Sequence, residues 1–222
     1  MQRFKVFGAT LVALIALGAV MASASMAALP EFSPSTAQKF KGTGKAGELT
    51  TLGGGIAIKC TANTLEGTIT GPNTGTVNIT FTGCSALGFP SNSLGDAEKV
   101  ILTGTLNYEL CYINKAEKVV GVYISGVNSH IEVPSLGVLI NVTGSLIGQV
   151  TPVNSLKTGP YTFTFAQSGA GDQKFTECTN AKGEVLKGKL VSSKDAKHET
   201  LESSAIVQTA EATAEKAVEI KA

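Results

Sequence analysis

The 222-residue sequence predicts an all-β protein, an antiparallel β-sandwich of about ten strands with a closed or partly closed barrel as the alternative. Three observations carry the prediction. Past Glu48, apolar and polar residues alternate with period two, as they do when successive side chains of a strand point to opposite faces. Gly, Pro and Asn interrupt these runs at intervals that suit hairpins, and no central segment has helical periodicity.

The first 27 residues predict a secretory signal. Arg3 and Lys5 precede an apolar run from Val6 to Met21, and small residues follow at Ala22-Ser-Ala24 and Ser25-Met-Ala27. Cleavage would leave about 195 residues, with no membrane span. Residues 28–47, mixed and polar with Pro30 and Pro34, predict a flexible lead-in in which Phe40 is the one candidate for packing. Residues 48–222 then form a single β domain.

Ile56, Ile58 and Cys60 share one face of a strand near 55–61, and Leu65 to Thr70 forms another before a turn at 71–75. In Gly75 to Gly83, Val77, Ile79 and Phe81 oppose Thr76, Asn78, Thr80 and Thr82. Val100, Leu102, Leu106 and Tyr108 line a strand near 99–110, and Val119 to Ser125 makes the next. In Val138 to Val150, Gly144 and Gly148 fall on the same face as Ile140, Val142, Leu146 and Val150, which predicts a bend or the close approach of another strand. Tyr161, Phe163 and Phe165 alternate with threonines after Pro160. Residues 200–208 and 216–221 read as strands, whereas the Ala/Glu-rich stretch 210–217 suits either a strand or a short helix.

Four cysteines in an exported chain predict two disulfides, with three pairings open. A Cys60–Cys84 bridge would staple neighbouring strands, and Cys111 with Cys178 would then close a longer loop. No C-x-x-C occurs, so neither a metal site nor a redox pair is expected.

Composition excludes several functions. Without the signal the chain has no Arg, and its 16 Lys face 17 Asp plus Glu. Nucleic-acid recognition favours guanidinium groups and basic clusters, so no nucleic-acid partner is expected. Gly42-Thr-Gly-Lys-Ala-Gly47 matches a dinucleotide-binding pattern in letters only, because no hydrophobic strand precedes it and no helix follows. It is expected to be a flexible loop, and no cofactor is expected.

His130 and His198 are the whole histidine stock, there is no G-x-S-x-G elbow, and Ser129 and His130 would face opposite sides of a strand. The carboxylates comprise Asp96, Asp172, Asp195 and fourteen Glu, from which a hydrolytic pair remains an alternative. Tyr108, Tyr112, Tyr123 and Tyr161 are the candidates for stacking on a sugar ring, so a binding module for cell-wall or extracellular polysaccharide is the first alternative and the hydrolase the second. Asn78-Ile-Thr80 and Asn141-Val-Thr143 fit the glycosylation acceptor pattern. Val100 to Leu106 and Ile140 to Leu146 share a Thr-Gly-Thr/Ser-Leu echo, read as common strand geometry.

Leu29-Pro-Glu-Phe-Ser-Pro34, Ile58-Lys-Cys60, Ile79-Thr-Phe-Thr-Gly-Cys84, Gly144-Ser-Leu-Ile-Gly148 through Pro152-Val-Asn154, and Ala217-Val-Glu-Ile-Lys221 run in order along the chain. In these segments the sequence resembles a group of uncharacterised secreted proteins from high-GC Gram-positive bacteria. The resemblance implies export and an all-β fold, and it supplies no catalytic set. Members of the group often carry further cysteines where this chain reads Ser91-Asn-Ser93 and Pro134-Ser-Leu136, so the group's disulfide pairing is not carried over. The expectation is therefore a secreted or cell-envelope protein, non-catalytic, with a structural or interaction role.

Overall fold

A computed structural model describes residues 29–169, 171–194 and 201–222. The expected signal segment, Asp195 and His198 lie outside them. Twenty strands are present among the described residues. The first six are β1 (Glu31–Ser33), β2 (Gln38–Gly44), β3 (Gly47–Thr51), β4 (Ile56–Cys60), β5 (Ala62–Ile69) and β6 (Thr74–Thr82). Three two-residue strands follow, β7 (Ser85–Ala86), β8 (Phe89–Pro90) and β9 (Asn92–Ser93). Three long ones come next, β10 (Val100–Asn114), β11 (Val119–Val133) and β12 (Val138–Thr151). The rest are β13 (Tyr161–Phe165), β14 (Gln167–Gly169), β15 (Asp172–Gln173), β16 (Glu177–Thr179), β17 (Val185–Lys187), β18 (Leu190–Lys194), β19 (Glu202–Ala214) and β20 (Glu219–Lys221).

The all-β antiparallel prediction holds, and the arrangement is the partly ring-like one. Eight strands follow one another in the order β13-β12-β11-β10-β6-β5-β2-β19, and β13 pairs β19 to complete the circuit. Closure removes edges that a sandwich would leave exposed. Long strands can curve into a ring where bulges bend them. Register shifts occur between Leu102 and Thr105 of β10 and between Ser125 and Val127 of β11, and the intervening Gly104 and Gly126 have φ of 66° and 83°. The bulge at Gly126 also explains why β11 runs eight residues beyond the expected end at Ser125: the strand bends there and keeps pairing.

Toward the other end of the molecule the long strands exchange partners. β12 leaves β13 and pairs β18, while β19 pairs β18 on one side and β3 on the other. From β3 the sheet continues through β4, β7 and β8. Gly144 sits at the β12–β18 junction with φ of 120°, and a Cβ there would lie 2.1 Å from the Lys189 carbonyl oxygen. This is the close approach that a glycine on that face predicted. The Thr-Gly-Thr/Ser-Leu echo marks glycines of positive φ in both β10 and β12.

Two expectations change. The 28–47 segment is not a flexible lead-in: β2 lies between β5 and β19 in the ring, and the chain's backbone groups find ladder partners on both sides. The Gly42–Gly47 loop is likewise absent, since Gly42 and Gly44 belong to β2 and Gly47 opens β3. Residues 210–214 complete the strand β19 and form no helix, because β13 and β2 flank them and Ala210, Ala212 and Ala214 alternate inward.

The main core lines the inside of the ring with Leu65, Val77, Leu106, Leu110, Val122, Ile124, Leu146 and Val150 and includes Phe32, Val218 and Ile220 from in and around the first and last described strands. A second cluster, with Ile58, Ile101, Ile131, Ile140 and Leu190, occupies the far half. A third lies outside the ring, where Cys111, Ile147 and Cys178 pack with Ile113, Tyr123, Phe175 and Leu186. Both disulfides form: Cys60–Cys84 has its Cα atoms 4.0 Å apart and Cys111–Cys178 has them 5.7 Å apart. The first ties β4 to the turn between β6 and β7, and the second fastens the β16–β17 hairpin to the outer face of β10.

Candidate functional site

The ring encloses a cavity of about 160 Å³ whose wall is almost wholly apolar. Its origin is legible in how side chains are distributed along inward faces. β2 presents Gly42 and Gly44 beside Phe40, and β19 presents Ala210, Ala212 and Ala214, so this sector contributes little volume. Aromatic side chains reach across to glycines of neighbouring strands, with the edge or tip of each ring over the glycine. A Cβ on Gly67 would sit 2.2 Å from Phe40 Cζ, one on Gly75 2.2 Å from Tyr108 Oη, and one on Gly148 2.6 Å from Phe165 Cε1. Missing side chains thus receive rings, an arrangement that draws Phe40, Tyr108 and Phe165 to the wall.

Two amides interrupt this apolar lining. Asn63 on β5 is 2% exposed, and neither its Nδ2 nor its Oδ1 has a hydrogen-bond partner in the protein. Gln208 on β19 is 5% exposed; its Nε2 donates to the carbonyls of Lys45 at 3.1 Å and Thr209 at 2.9 Å, while its Oε1 is unpartnered. Leaving a buried polar group unsatisfied costs about 1–3 kcal/mol. Sequence reasoning missed both residues. The available signal was parity: Asn63 shares its face with Leu65 and Ile69, and Gln208 shares its face with the alternating alanines.

The four tyrosines do not form one platform. Tyr108 and Tyr161 line the cavity, Tyr112 is buried in the same core, and Tyr123 is half-buried on the outer face beside the Cys111–Cys178 cluster. Phe32 and Phe40 meet the Tyr108 ring edge to face at 6.2 and 6.0 Å, and its hydroxyl donates to the Thr68 carbonyl at 3.4 Å. Burial raises the Tyr108 phenol well above the ordinary value, and burial also raises that of Tyr112. The Tyr161 hydroxyl donates to the Val218 carbonyl, with those of Ser155 and Lys157 at 3.2 and 3.3 Å. Burial raises its pKa, the Lys157 backbone contact opposes the rise, and Glu219 adds to it.

Among the other candidates, Ser129 is buried on the cavity side and His130 is exposed, as strand alternation requires. Glu109 accepts from Asn73 Nδ2 at 3.3 Å. Burial raises its pKa, Lys182 lowers it, Glu184 raises it and a hydrogen bond from Asn180 lowers it. Glu184 in turn accepts from Asn180 Nδ2 at 2.9 Å, so this carboxylate pair belongs to a polar cluster that orders the 180–184 turn. Asn78 is exposed and accepts from Thr105 Oγ1 at 2.9 Å, whereas Asn141 is 3% exposed, which removes the second glycosylation pattern from the surface. No helix among the described residues is long and apolar enough to cross a membrane. Compared with known proteins, the chain matches no family model, no curated protein and no solved structure.

Proposed function

We propose that this is an exported, non-catalytic binding protein that encloses a small, mainly apolar molecule within its ring of strands. The observation that carries the reading is the apolar cavity of about 160 Å³. An apolar cavity near 150 Å³ is enough to take up a benzene-sized molecule. The reading narrows an interaction protein of unspecified partner to one whose partner is small and held inside. Export is supported by the two disulfides, which persist in oxidising compartments, and by the basic and apolar order of residues 1–27.

Isopropylbenzene is a suitable probe. It should raise the melting temperature of the oxidised protein with a logarithmic dependence on concentration above its Kd. Ala210→Leu, which adds a larger side chain to the cavity wall, should diminish that rise. A wild-type protein with both disulfides intact and no shift at saturating isopropylbenzene, nor with polar aromatic probes of the same size, would overturn the reading. Export has its own test: protein recovered from its host should begin near Ser25 or Ala28 and be about 4 Da lighter than its reduced form, since each disulfide removes two hydrogens. Full-length protein with four thiols would remove that part of the proposal.

A further inference from the structure

The cavity has a polar corner, and its donors and acceptors specify what a ligand must offer. We infer that the enclosed molecule carries a neutral amide-type edge, a carbonyl beside an N–H, which pairs with Asn63 and Gln208. The inference rests on the reading of the cavity as a ligand site and deepens it.

Asn63 and Gln208 come from strands on either side of β2. Gly44 lies directly opposite Asn63 in β5 and opposite Ala210 in β19. A Cβ on Gly44 would meet Asn63 Nδ2 at 2.3 Å, Asn63 Oδ1 at 2.7 Å and Gln208 Nε2 at 2.7 Å. One on Gly47 would meet Gln208 Oε1 at 1.8 Å. Two glycines therefore make the space in which the amides converge, and both amides line the cavity.

The unsatisfied atoms are one donor group, Asn63 Nδ2, and two acceptors, Asn63 Oδ1 and Gln208 Oε1. A primary carboxamide is their complement. Its oxygen accepts from Asn63 Nδ2, and its two N–H groups reach the two acceptors. An ionised carboxylate brings only acceptors, which two acceptor oxygens repel, and it must also shed its water to enter. An ammonium group brings only donors and leaves Asn63 Nδ2 unmatched. A hydrocarbon satisfies none of the three. Sites built to hydrogen-bond a polar group discriminate strongly against analogues that lack it, because their own groups are left unpaired.

Benzamide and isopropylbenzene have the same number of heavy atoms and nearly the same shape, and benzoate supplies the charged form. Titration calorimetry of the oxidised full protein should find benzamide bound at least tenfold more tightly than isopropylbenzene and at least tenfold more tightly than benzoate. Asn63→Leu, close in size to Asn, should bring benzamide down to the affinity of isopropylbenzene. Gln208→Leu should weaken benzamide severalfold and stands in if Asn63→Leu does not fold. Isopropylbenzene binding as tightly as benzamide, or benzamide binding unchanged in either variant, would overturn the amide inference and leave the cavity reading standing. Failure of all three probes would remove both.

Discussion

Phe32 and Ile220 lie directly opposite each other in a two-stranded antiparallel sheet made by the first and last described strands. Both are buried, and both belong to the core inside the ring. The segments that surround them, Leu29 to Pro34 and Ala217 to Lys221, are two of those on which the resemblance to secreted proteins rests. Through them two parts of the chain far apart in sequence meet and contribute to one apolar core. The Glu31–Lys221 ion pair at 3.7 Å flanks them, but its partners are roughly half exposed and it adds little.

Phe32→Ala should accordingly destabilise the whole protein, by about 3–5 kcal/mol, the usual cost of deleting a buried aromatic side chain. Urea unfolding followed by tyrosine fluorescence reads the change. A loss below about 1 kcal/mol would mean that the terminal sheet is an appendage and not part of the cooperative core.

The two disulfides should differ in worth. Their sequence separations are 24 and 67 residues. Loop-closure entropy then assigns about 3.5 kcal/mol to Cys60–Cys84 and about 4.4 kcal/mol to Cys111–Cys178. Paired Cys→Ala variants of each bridge, compared by equilibrium unfolding, should preserve that order. Equal losses would show that local packing outweighs the constraint on the unfolded chain.

Gly148→Ala should cost about 1–3 kcal/mol, because the new methyl group enters the ring of Phe165. The double variant with Phe165→Leu should lose less than the sum of the single changes, since the smaller side chain yields the space. Strict additivity would argue against contact between the two positions.

Alkaline pH should unfold the protein through its tyrosines. Burial raises Tyr108 and Tyr161 in the folded state, whereas the unfolded chain ionises them near pH 10. Below pH 10 both states hold the protons and stability is unaffected. Above it the unfolded state binds fewer protons, so stability falls, by up to about 1.4 kcal/mol per pH unit for Tyr108. Tyr108→Phe should flatten the decline measured between pH 10 and 11.5, and an unchanged slope would place the titration elsewhere.

Most of the strand positions follow from the sequence because alternation is a local property. Val77, Ile79 and Phe81 repeat every second residue, and a backbone that keeps them together on one face must be extended. β2 escaped because its inward positions are Gln38, Phe40, Gly42 and Gly44, which carry little hydrophobic signal, and its strand character comes from β5 and β19 on either side. The same applies to 210–214, where alanine supports a helix in isolation and a crowded inward face in company.

The basic and apolar order of residues 1–27, the all-β class and the four cysteines were determined by the sequence alone, since each depends on residue type or on neighbours a few positions apart. Ring closure between β13 and β19, the choice among three disulfide pairings and the convergence of Asn63 with Gln208 were decided only by the tertiary structure. Those features join residues up to about 145 positions apart, and a period-two pattern says which face a side chain takes but not which strand lies beside it.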